Sequence, residues 1–545
     1  MKLLVTGIGA WSAAGRGTGA LVELLESRRA AFSAEPPYPS EGLYAPRCGL
    51  TEVERDRPAE TLLLGAVREA LAHASFGEGR LGLVVGTSSG NICGPWERWH
   101  RAHLAGEPAS EEGTWRQDPT KVVAEAIGAT RHATVSVACA SGTAGFVLAQ
   151  GWLADDLVDA VVVAGVDALS LYVHAGFNGL GALSKSQPRP FHTERDGLLL
   201  GEGAAAVLVE VEAHAWGRGA TSLCELCGTG LSADAVHMTA PDRQGGGAAR
   251  AMQAALDDAG VGAEAIDLVS LHGTATSFND AMEAHALQRV FGDRPLPLFG
   301  VKQAVGHTLG AAGSLEATVV VEVLCSGRVP PAPEIDEELP VSSQRFPSAP
   351  RIAISTNSAF GGANAAAVLA APGAVPELVR EPREVIELAS ARVEIPEGKV
   401  DWSALWAAPP ERFKRLNRYV RVALVAMNRV LSEVEIGPDI GVVLASESNC
   451  RATDLRYHQK LLQRGAAQAP RVEFIYTIPG APSGEAAILW GLQGPSMVLC
   501  GPMSEAVEEA KRMIRWGRAS RLVALGIEAP EPRGAAWAEA VLLGH

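Results

Sequence analysis

Hydrophobic and polar positions alternate in blocks along the first two thirds of the chain. Short runs of valine, leucine and alanine, such as LGLVVG at 81–86 and AVVVAGVDAL at 160–169, are separated by longer stretches with helical spacing and by glycine-rich turns. Continuous apolar runs of this length are typical of strands that are buried on both faces. The alternation with helices predicts an α/β domain with parallel strands over residues 1–371.

The pattern breaks after residue 371 and then starts again. The segment 372–381, PGAVPELVRE, has two prolines and no clear period, which predicts a linker. New strand and helix patterns fill residues 382–545, so we expect a second domain there.

The second domain repeats part of the first. DIGVVLASESN at 439–449 is similar to RLGLVVGTSSGN at 80–91, and aligning Gly165 with Gly526, an offset of 361, places Cys139 on Cys500. Such self-similarity indicates a duplicated structural unit. The repeat matches only the first half of residues 1–371, so the chain is predicted to be one whole domain followed by half of another.

Composition and charge exclude several classes of function. The chain of 545 residues has a formal charge of −15 and no long basic tract, which argues against nucleic-acid binding. No stretch is expected to span a membrane, and MKLLVTGIGAWSAAG reads as a first strand and not as a signal peptide. Eight scattered cysteines indicate reduced thiols and a cytoplasmic protein. The close pair Cys224 and Cys227 lacks further ligands at zinc spacing, so no metal site is predicted.

Cys139 occupies a position that suits a nucleophile. In TVSVACASGTAG it follows an apolar strand and precedes small residues that open a helical run. A helix N-terminus favours the thiolate, and small neighbours admit a long substrate. On this fragment alone a buried structural cysteine is the favoured interpretation, so the cysteine by itself does not indicate the function.

Two histidines and a lysine lie in similar turns. His272 follows the apolar run IDLVSL, whereas Lys302 and His307 share the segment GVKQAVGHTLGAAGSLEA, with Glu316 nine residues beyond His307. Each turn precedes a helix, which is where open parallel sheets place their active sites.

These segments together resemble a known enzyme family. VACASG, PFHTERDGLLLGEGAAA, HGTATSFNDAMEA, VKQAVGHTLGAAGSLE and NSAFGGAN resemble, in order, the elongating beta-ketoacyl-ACP synthases and the ketosynthase/chain-length-factor pairs of polyketide assembly. The resemblance implies a thiolase fold, a five-layered αβαβα stack of two similar halves, followed here by an additional half-thiolase domain. It also implies decarboxylative Claisen condensation of an acyl thioester with malonyl-ACP.

The resemblance assigns roles to individual residues. Cys139 would take the acyl chain from the phosphopantetheine of an acyl carrier protein, and His272 and His307 would bind the malonyl thioester and promote decarboxylation. The backbone N–H groups of Cys139 and Phe360 would form the oxyanion hole, with Phe360 also gating the thiol. Lys302, Glu316 and Asp280 would support the histidines. No cofactor is expected beyond the carrier-borne phosphopantetheine.

Two positions depart from the family pattern. Ala359 stands where the loop before the gate usually has glycine, which is expected to stiffen that loop. Gly181 stands where an arginine commonly meets the carrier protein, so docking from that side is in doubt.

The half domain is expected to replace a dimer partner. Family synthases dimerise through the first half of the fold, so residues near 475–505 should cover the surface around 120–150 as an intramolecular pseudo-dimer. A further oligomer would need another face. Basic residues of the half domain, Arg412, Lys414, Arg415 and Arg471, are candidates for carrier docking. A solvated charged face on a degenerate duplicate explains these basic residues equally well. Cys500 is expected to be a non-catalytic relic, because no histidines accompany it.

Three other functions remain as alternatives. A non-catalytic chain-length factor or scaffold usually lacks the cysteine that this chain keeps. A thiolase-fold acyltransferase would use the same cysteine with another acceptor. The string GTSSG at 86–90 also satisfies the G-x-S-x-G pattern of serine hydrolases.

Overall fold

The computed structural model describes residues 1–107, 118–344 and 348–545, which form 18 strands and 17 α-helices. The strands are β1 Leu3–Ser12, β2 Gly15–Arg16, β3 Cys48–Gly49, β4 Leu81–Gly86, β5 Arg131–Val135, β6 Ala160–Asp167, β7 Leu200–Gly201, β8 Gly203–Val211, β9 Cys224–Ala233, β10 Leu268–Ser270, β11 Leu298–Phe299, β12 Ile352–Ser358, β13 Ala363–Ala370, β14 Ile386–Ile395, β15 Ile440–Ala445, β16 Ser496–Leu499, β17 Arg521–Glu528 and β18 Ala536–Gly544.

The helices are α1 Thr18–Glu26, α2 Pro58–His73, α3 Pro95–Ala105, α4 Asp118–Ile127, α5 Ser141–Ala154, α6 Leu171–Leu180, α7 Glu212–Gly217, α8 Gly246–Ala259, α9 Ser277–Phe291, α10 Lys302–Val305, α11 Ala312–Ser326, α12 Trp402–Leu405, α13 Arg418–Leu431, α14 Arg451–Arg464, α15 Arg471–Ile475, α16 Ala481–Trp490 and α17 Met503–Arg515.

The main sheet has 16 strands, namely three five-stranded units with one topology and the short β2, which pairs with β1. The strand orders are β1-β8-β6-β4-β5, β9-β13-β12-β10-β11 and β14-β18-β17-β15-β16. In each unit the second, third and fourth strands in chain order run parallel, and the fifth pairs antiparallel with both the fourth and the first. Two units therefore form the duplicated domain, and the third is an additional half.

Helices separate the first two units into layers. α2 packs on β1, β6 and β8 from one side, and α8 packs on β9 and β13 from the far side. α5 and α11 lie between the first and second units and contact each other and strands of both. The helices and sheets therefore alternate as the thiolase fold requires, and the ends of α5 and α11 meet at the middle of the domain.

The third unit joins the first through the two strands that precede the paired cysteines. β5 and β16 are antiparallel, with Val135 opposite Leu499. Ser136 N donates to Val498 O at 2.9 Å, and Cys500 N donates to Thr134 O at 2.9 Å. This is the intramolecular pairing that the repeat predicted.

In the third unit, α17 corresponds to α5 but has one exposed face. α5 (SGTAGFVLAQGWLA) is buried on nearly every face because it lies between two sheets. α17 (MSEAVEEAKRMIR) buries Ala510, Met513 and Ile514 but exposes Glu508 and Lys511. An amphipathic helix needs cover on one side only, so the half domain is built to stand without its missing second half.

One core helix also meets the length and composition of a membrane span. Leu309–Ser326 has a mean hydropathy of 1.4, but 83% of it is buried inside the protein. The expectation that no segment was long and apolar enough was therefore wrong on composition. Burial between two sheets explains the apolar character of this helix.

Candidate active site

Cys139 lies in a strained turn between β5 and α5. A 3₁₀ turn at Ala138–Ala140 precedes the helix, and Ala138 has a φ of 47°, in the left-handed region. Ser141 holds the turn, since its Oγ accepts from Val137 N at 2.9 Å and donates to Ala138 O at 2.6 Å. Such strain at a non-glycine residue is common at nucleophile turns and orients the side chain out of the strand.

Small residues behind the cysteine allow the two central helices to meet. A Cβ on Gly142 would lie 2.7 Å from Ser314 Oγ and 2.9 Å from Gly310 O. Glycine at position 142 is thus required for α5 and α11 to start side by side. This contact places the His307 turn next to Cys139.

The two predicted histidines converge on the predicted cysteine. His307 Nε2 lies 3.0 Å from Cys139 Sγ. The rings of His272 and His307 are 5.6 Å apart and nearly perpendicular, at 87°. All three side chains are buried, with Cys139 8% exposed.

Hydrogen bonds determine the tautomers of both histidines. His307 Nδ1 accepts from Leu309 N at 3.2 Å, so its proton is on Nε2 and is directed at the sulfur. Asn357 Nδ2 lies 3.1 Å from His272 Nδ1 and donates to it, so His272 also carries its proton on Nε2. Both rings therefore present N–H donors to the site.

A chain of polar contacts holds Asn357 in that orientation. Lys302 Nζ pairs with Glu316 Oε1 at 2.5 Å, and Glu316 Oε2 accepts from Asn357 Nδ2 at 2.9 Å. Thr143 Oγ1 donates to Asn357 Oδ1 at 2.5 Å. Lys302 thus acts on His272 through Glu316 and Asn357. The sequence analysis did not single out Asn357, although it lies at the start of the quoted NSAFGGAN segment.

Burial dominates the electrostatics of the site. Desolvation raises the pKa of the Cys139 thiol to about 12, against the opposing effect of Lys302. Desolvation and the Lys302 charge hold the pKa values of His272 and His307 well below 6.5. Burial therefore outweighs the groups that favour the thiolate, and the low thiol pKa expected at a helix N-terminus is not found. The histidines are neutral donors and the resting sulfur carries its proton.

Two further carboxyl groups support the histidine turn. Glu283 accepts from His272 N at 2.6 Å and from Gly273 N at 2.8 Å, and burial raises its pKa to about 7. Asp280 accepts from Phe191 N at 2.7 Å, and burial raises its pKa to about 6. Asp280 therefore anchors the start of α9 and does not contact a histidine ring. Glu283, three residues along the same helix, was missed.

The GTSSG turn serves as a structural clamp. Asp167, fully buried, accepts from Ser88 N, from Ser89 N and from Gly310 N, at 2.9, 2.9 and 2.7 Å. This carboxylate ties the turn after β4 to the turn that carries His307. The arrangement accounts for the serine-rich pentapeptide without a hydrolase nucleophile.

A cavity of about 330 Å³ opens from Cys139, His272 and His307 to the surface. Phe360 lines it and stacks on Phe177 with ring centroids 5.8 Å apart. The left-handed positions of the adjoining loop are Gly361 and Gly362, with φ of 88° and 76°. These two glycines supply the freedom that Ala359 lacks.

The half domain packs against the residues that support the gate. Phe474 contacts Phe177 edge-on at 5.6 Å, and its ring lies so close to α6 that a Cβ on Gly176 would be 2.3 Å away. A Cβ on Gly484 of α16 would lie 2.8 Å from Gly361 O. Both contacts bring the half domain against the loop of Phe360.

None of the four candidate docking residues lines the cavity of the catalytic side chains. Arg412 binds both oxygens of Glu485, which is 1% exposed, at 2.5 and 2.8 Å. Lys414 pairs with the exposed Glu411 at 2.7 Å. Arg415 and Arg471 are exposed. Arg412 thus has a structural ion pair, and the other three remain candidates.

Comparison with known proteins identifies the family. The N-terminal domain model of beta-ketoacyl synthases matches residues 45–215 and, a second time, residues 389–539. The C-terminal domain model of the same family matches residues 223–336. The chain belongs to the beta-ketoacyl synthase family. The repeated N-terminal match and single C-terminal match reproduce the whole-plus-half organisation seen in the sheet.

Relatives and solved structures agree with this beta-ketoacyl synthase assignment. The chain is 31% identical over 415 residues to putative polyketide beta-ketoacyl synthase 1 of Streptomyces halstedii, covering 68% of this chain and 98% of that protein. It is 38% identical over 212 residues to 3-oxoacyl-[acyl-carrier-protein] synthase 2 of Vibrio cholerae, covering 37% of this chain and 51% of that protein.

The fold of the entire synthase chain also has a solved counterpart. The PfaC keto synthase–chain length factor superposes with a TM-score of 0.79 at 16% identity, covering 100% of this chain and 78% of that one. The fold is therefore shared over the half domain as well. The protein is an acyltransferase of the condensing type, with a thiolase fold.

Proposed function

We propose that this beta-ketoacyl synthase joins an acyl group held on Cys139 to a malonyl unit, both delivered on the phosphopantetheine of an acyl carrier protein. The observation that carries the proposal is the buried contact of 3.0 Å between His307 Nε2 and Cys139 Sγ, with the neutral His272 beside it. A scaffold or chain-length factor is not catalytic and would not require this arrangement.

The first half-reaction loads the enzyme. The Cys139 sulfur loses its proton as it attacks the carbonyl carbon of the incoming thioester, and the proton leaves with the departing phosphopantetheine thiol. The N–H of His307, the charge of Lys302 and the start of α5 all favour the thiolate in this step. The product is an acyl-Cys139 thioester.

The second half-reaction forms the carbon–carbon bond. The Nε2–H groups of His272 and His307 donate to the malonyl thioester carbonyl, so the electron pair released with carbon dioxide is held as an enolate. The enolate carbon attacks the acyl-Cys139 carbonyl. The oxyanion that forms accepts hydrogen bonds from the backbone N–H groups of Cys139 and Phe360. The sulfur then leaves as a thiolate, which frees the β-ketoacyl carrier, and takes up a proton from water to regenerate the Cys139 thiol.

Carrier docking is proposed to involve the half domain. The turn at 466–468 lies on the C-terminal end of α6, where Asn178 Nδ2 donates to Ala466 O at 3.4 Å, and Gly181 just beyond lines the cavity. The exposed Arg464 and Arg471 flank this turn. These arginines would supply positive charge near the mouth of the Cys139 cavity, where Gly181 replaces the usual arginine. Positive charge at this position suits an acidic carrier protein.

The pathway and location are part of the proposal. The relative from Streptomyces halstedii supports polyketide synthesis, and the relative from Vibrio cholerae supports synthesis on an acyl carrier protein. We place the enzyme in the cytoplasm, where its eight free cysteines stay reduced.

Mass spectrometry of the carrier protein tests the function. Full-length enzyme, acyl-carrier and malonyl-carrier should yield a β-ketoacyl carrier and one equivalent of carbon dioxide. Acyl exchange between carriers without chain extension would support the acyltransferase alternative, and no acylation of the enzyme would support the scaffold.

A further inference from the structure

The synthase and the half domain are related by a pseudo-twofold axis that passes between α5 and α17. The offset of 361 between the two repeats aligns Gly151 with Arg512 and Asp155 with Trp516. Each aligned pair is also in contact across the interface. Residues that contact their own counterparts lie at the axis of a twofold pair. Two identical units joined in the same way would therefore place two identical side chains at each of these positions.

Glycine at position 151 provides the space for the Arg512 side chain. A Cβ on Gly151 would overlap Arg512 Cδ and lie 3.1 Å from Cγ. Only 6% of the Arg512 side chain is exposed. Its aliphatic part packs on the bare backbone of α5, and its guanidinium reaches the C-terminal end of that helix.

Asp155, the residue after α5, accepts three hydrogen bonds from the half domain. Arg512 Nε donates to Oδ2 at 3.0 Å, and Arg515 NH1 donates to the same oxygen at 3.2 Å. Trp516 Nε1 donates to Oδ1 at 2.8 Å. Burial opposes ionisation, but the Trp516 N–H and the Arg512 charge hold the pKa of Asp155 below its ordinary value. Asp155 is therefore an ionised carboxylate at the axis, and these three donors all belong to the half domain.

Two more carboxylates of α17 take part in this interface. Glu509, 1% exposed, pairs with NH1 of Arg512. Glu508 lies 3.2 Å from Arg131, which begins β5. The pair of Arg131 and Glu508 is largely exposed and contributes little to the association. The contact of Asp155 with Arg512 is therefore the stronger of the two ion pairs that join the units.

Neither ion pair is repeated on the other side of the axis. In the alignment of the repeats the charged residues correspond to uncharged ones, namely Arg512 to Gly151, Asp155 to Trp516, Arg131 to Leu492 and Glu508 to Val147. Arg515 likewise corresponds to Ala154. Both ion pairs therefore form only when a synthase unit meets a half domain.

We propose that Asp155 and Arg512 make the pairing surface of the synthase selective for the half domain over a second synthase unit. Two synthase units would place Asp155 against Asp155, with no cation at the axis. Two half domains would place one buried Arg512 against another. Buried like charges are strongly destabilising, so both wrong pairs are disfavoured while the intended pair gains a buried ion pair. The surface therefore fits the half domain even where the linker does not enforce the pairing.

A chain that is cut after folding measures this selectivity without the tether. A specific protease site inserted after Glu381, in an exposed stretch, allows the folded full-length chain to be cut into a synthase fragment and a half-domain fragment. Native mass spectrometry then counts the fragments in each complex. Mixing with an isotopically labelled cut chain gives the rate at which half-domain fragments exchange. Complexes with equal numbers of both fragments are expected, and none with synthase fragments alone.

Two variants and a matched control test the contact itself. Arg512→Met keeps the length of the side chain over Gly151 and should speed exchange at least about tenfold. Asp155→Leu should speed exchange similarly, and complexes of two synthase fragments should appear because the opposed carboxylates are gone. Since both variants remove one interaction, the double variant should exchange little faster than the faster single variant. Lys511→Met, exposed on α17, should leave the exchange rate unchanged.

The proposal would be overturned if the cut wild-type chain formed complexes of synthase fragments alone. Effects of Arg512→Met and Asp155→Leu that simply multiply, or that Lys511→Met reproduces, would also overturn it. Thermal unfolding of each uncut variant checks its fold, and Asp155→Asn, which keeps the side-chain shape, replaces Asp155→Leu if the latter does not fold. None of these outcomes depends on condensation activity.

Discussion

Asn357 donates to Nδ1 of His272 across 3.1 Å, which keeps the His272 proton on Nε2. The same amide nitrogen lies 2.9 Å from Glu316, and Lys302 holds Glu316 as the acceptor. In the proposed mechanism Lys302 would therefore act on decarboxylation through these contacts and not through the substrate. The tautomer of His272 is a property of this whole chain of contacts.

Replacing Asn357 by aspartate should reverse that tautomer. A carboxylate facing Nδ1 draws the proton there, so Nε2 no longer donates to the malonyl carbonyl. Decarboxylation should fall by about 10²- to 10³-fold, the usual cost of losing one such donor. Loading of Cys139 should change much less. The control is Asn428→Asp, at a half-buried position of α13, which should change neither step. Release of carbon dioxide from malonyl-carrier and acylation of the enzyme measure the two steps separately.

His272→Ala should show the same split between the two steps. If Asn357→Asp slowed loading as much as decarboxylation, Asn357 would be a general structural residue and not one that orients His272.

Cys139→Ala should abolish loading and condensation and leave the fold intact, because the sulfur is the nucleophile. Cys500→Ala should load normally, since none of the predicted catalytic histidines lies in the half domain. The intact mass of each variant after incubation with acyl-carrier is the measurement. An acyl adduct on Cys139→Ala that is lost in Cys500→Ala would show that the nucleophile was assigned to the wrong repeat.

The reactivity of Cys139 should increase with pH over a wide range. With a thiol pKa of about 12, the thiolate fraction rises about tenfold for each pH unit up to pH 10. Alkylation of Cys139 by iodoacetamide, followed by peptide mass spectrometry, should therefore give a log rate that rises with a slope near one. A plateau between pH 6 and 8 would show that the helix N-terminus and His307 outweigh burial.

Charge reversal at Arg471 should weaken carrier docking. Arg471→Glu is expected to raise KM for the carrier about three- to tenfold with little change in kcat, because an exposed charge acts on encounter and not on chemistry. The effect should shrink as salt is added. Lys399→Glu, also exposed in the half domain, is the control, and an equal rise in KM for both variants would point to net charge alone.

Deleting residues 382–545 should expose the surface that β16 and α17 cover. The bared β5 edge and the apolar residues around α5 are expected to cause aggregation or homodimerisation. Light scattering on residues 1–381 and on the full chain measures this. A truncated protein that stayed monomeric, soluble and fully active would contradict the role of the half domain as an internal partner.

The sequence by itself determined the repeat, the nucleophile turn and the family. The strand-like runs and the individual motifs are local patterns, and the offset between Cys139 and Cys500 and the order of the motifs are found by comparing such patterns along the chain. They were sufficient to predict the whole-plus-half organisation, and the family resemblance that the motifs carry implied that Cys139, His272 and His307 act together.

Tertiary structure decided the contacts between segments that are distant in sequence. Asn357, Glu283 and Asp167 act through partners tens to hundreds of residues away, and no spacing along the chain signals such a contact. Arg412 looked like a free docking charge until the fold placed the buried Glu485 beside it. The thiol pKa likewise depends on how completely two sheets and two helices exclude water from Cys139, a property of packing that the turn sequence alone does not contain.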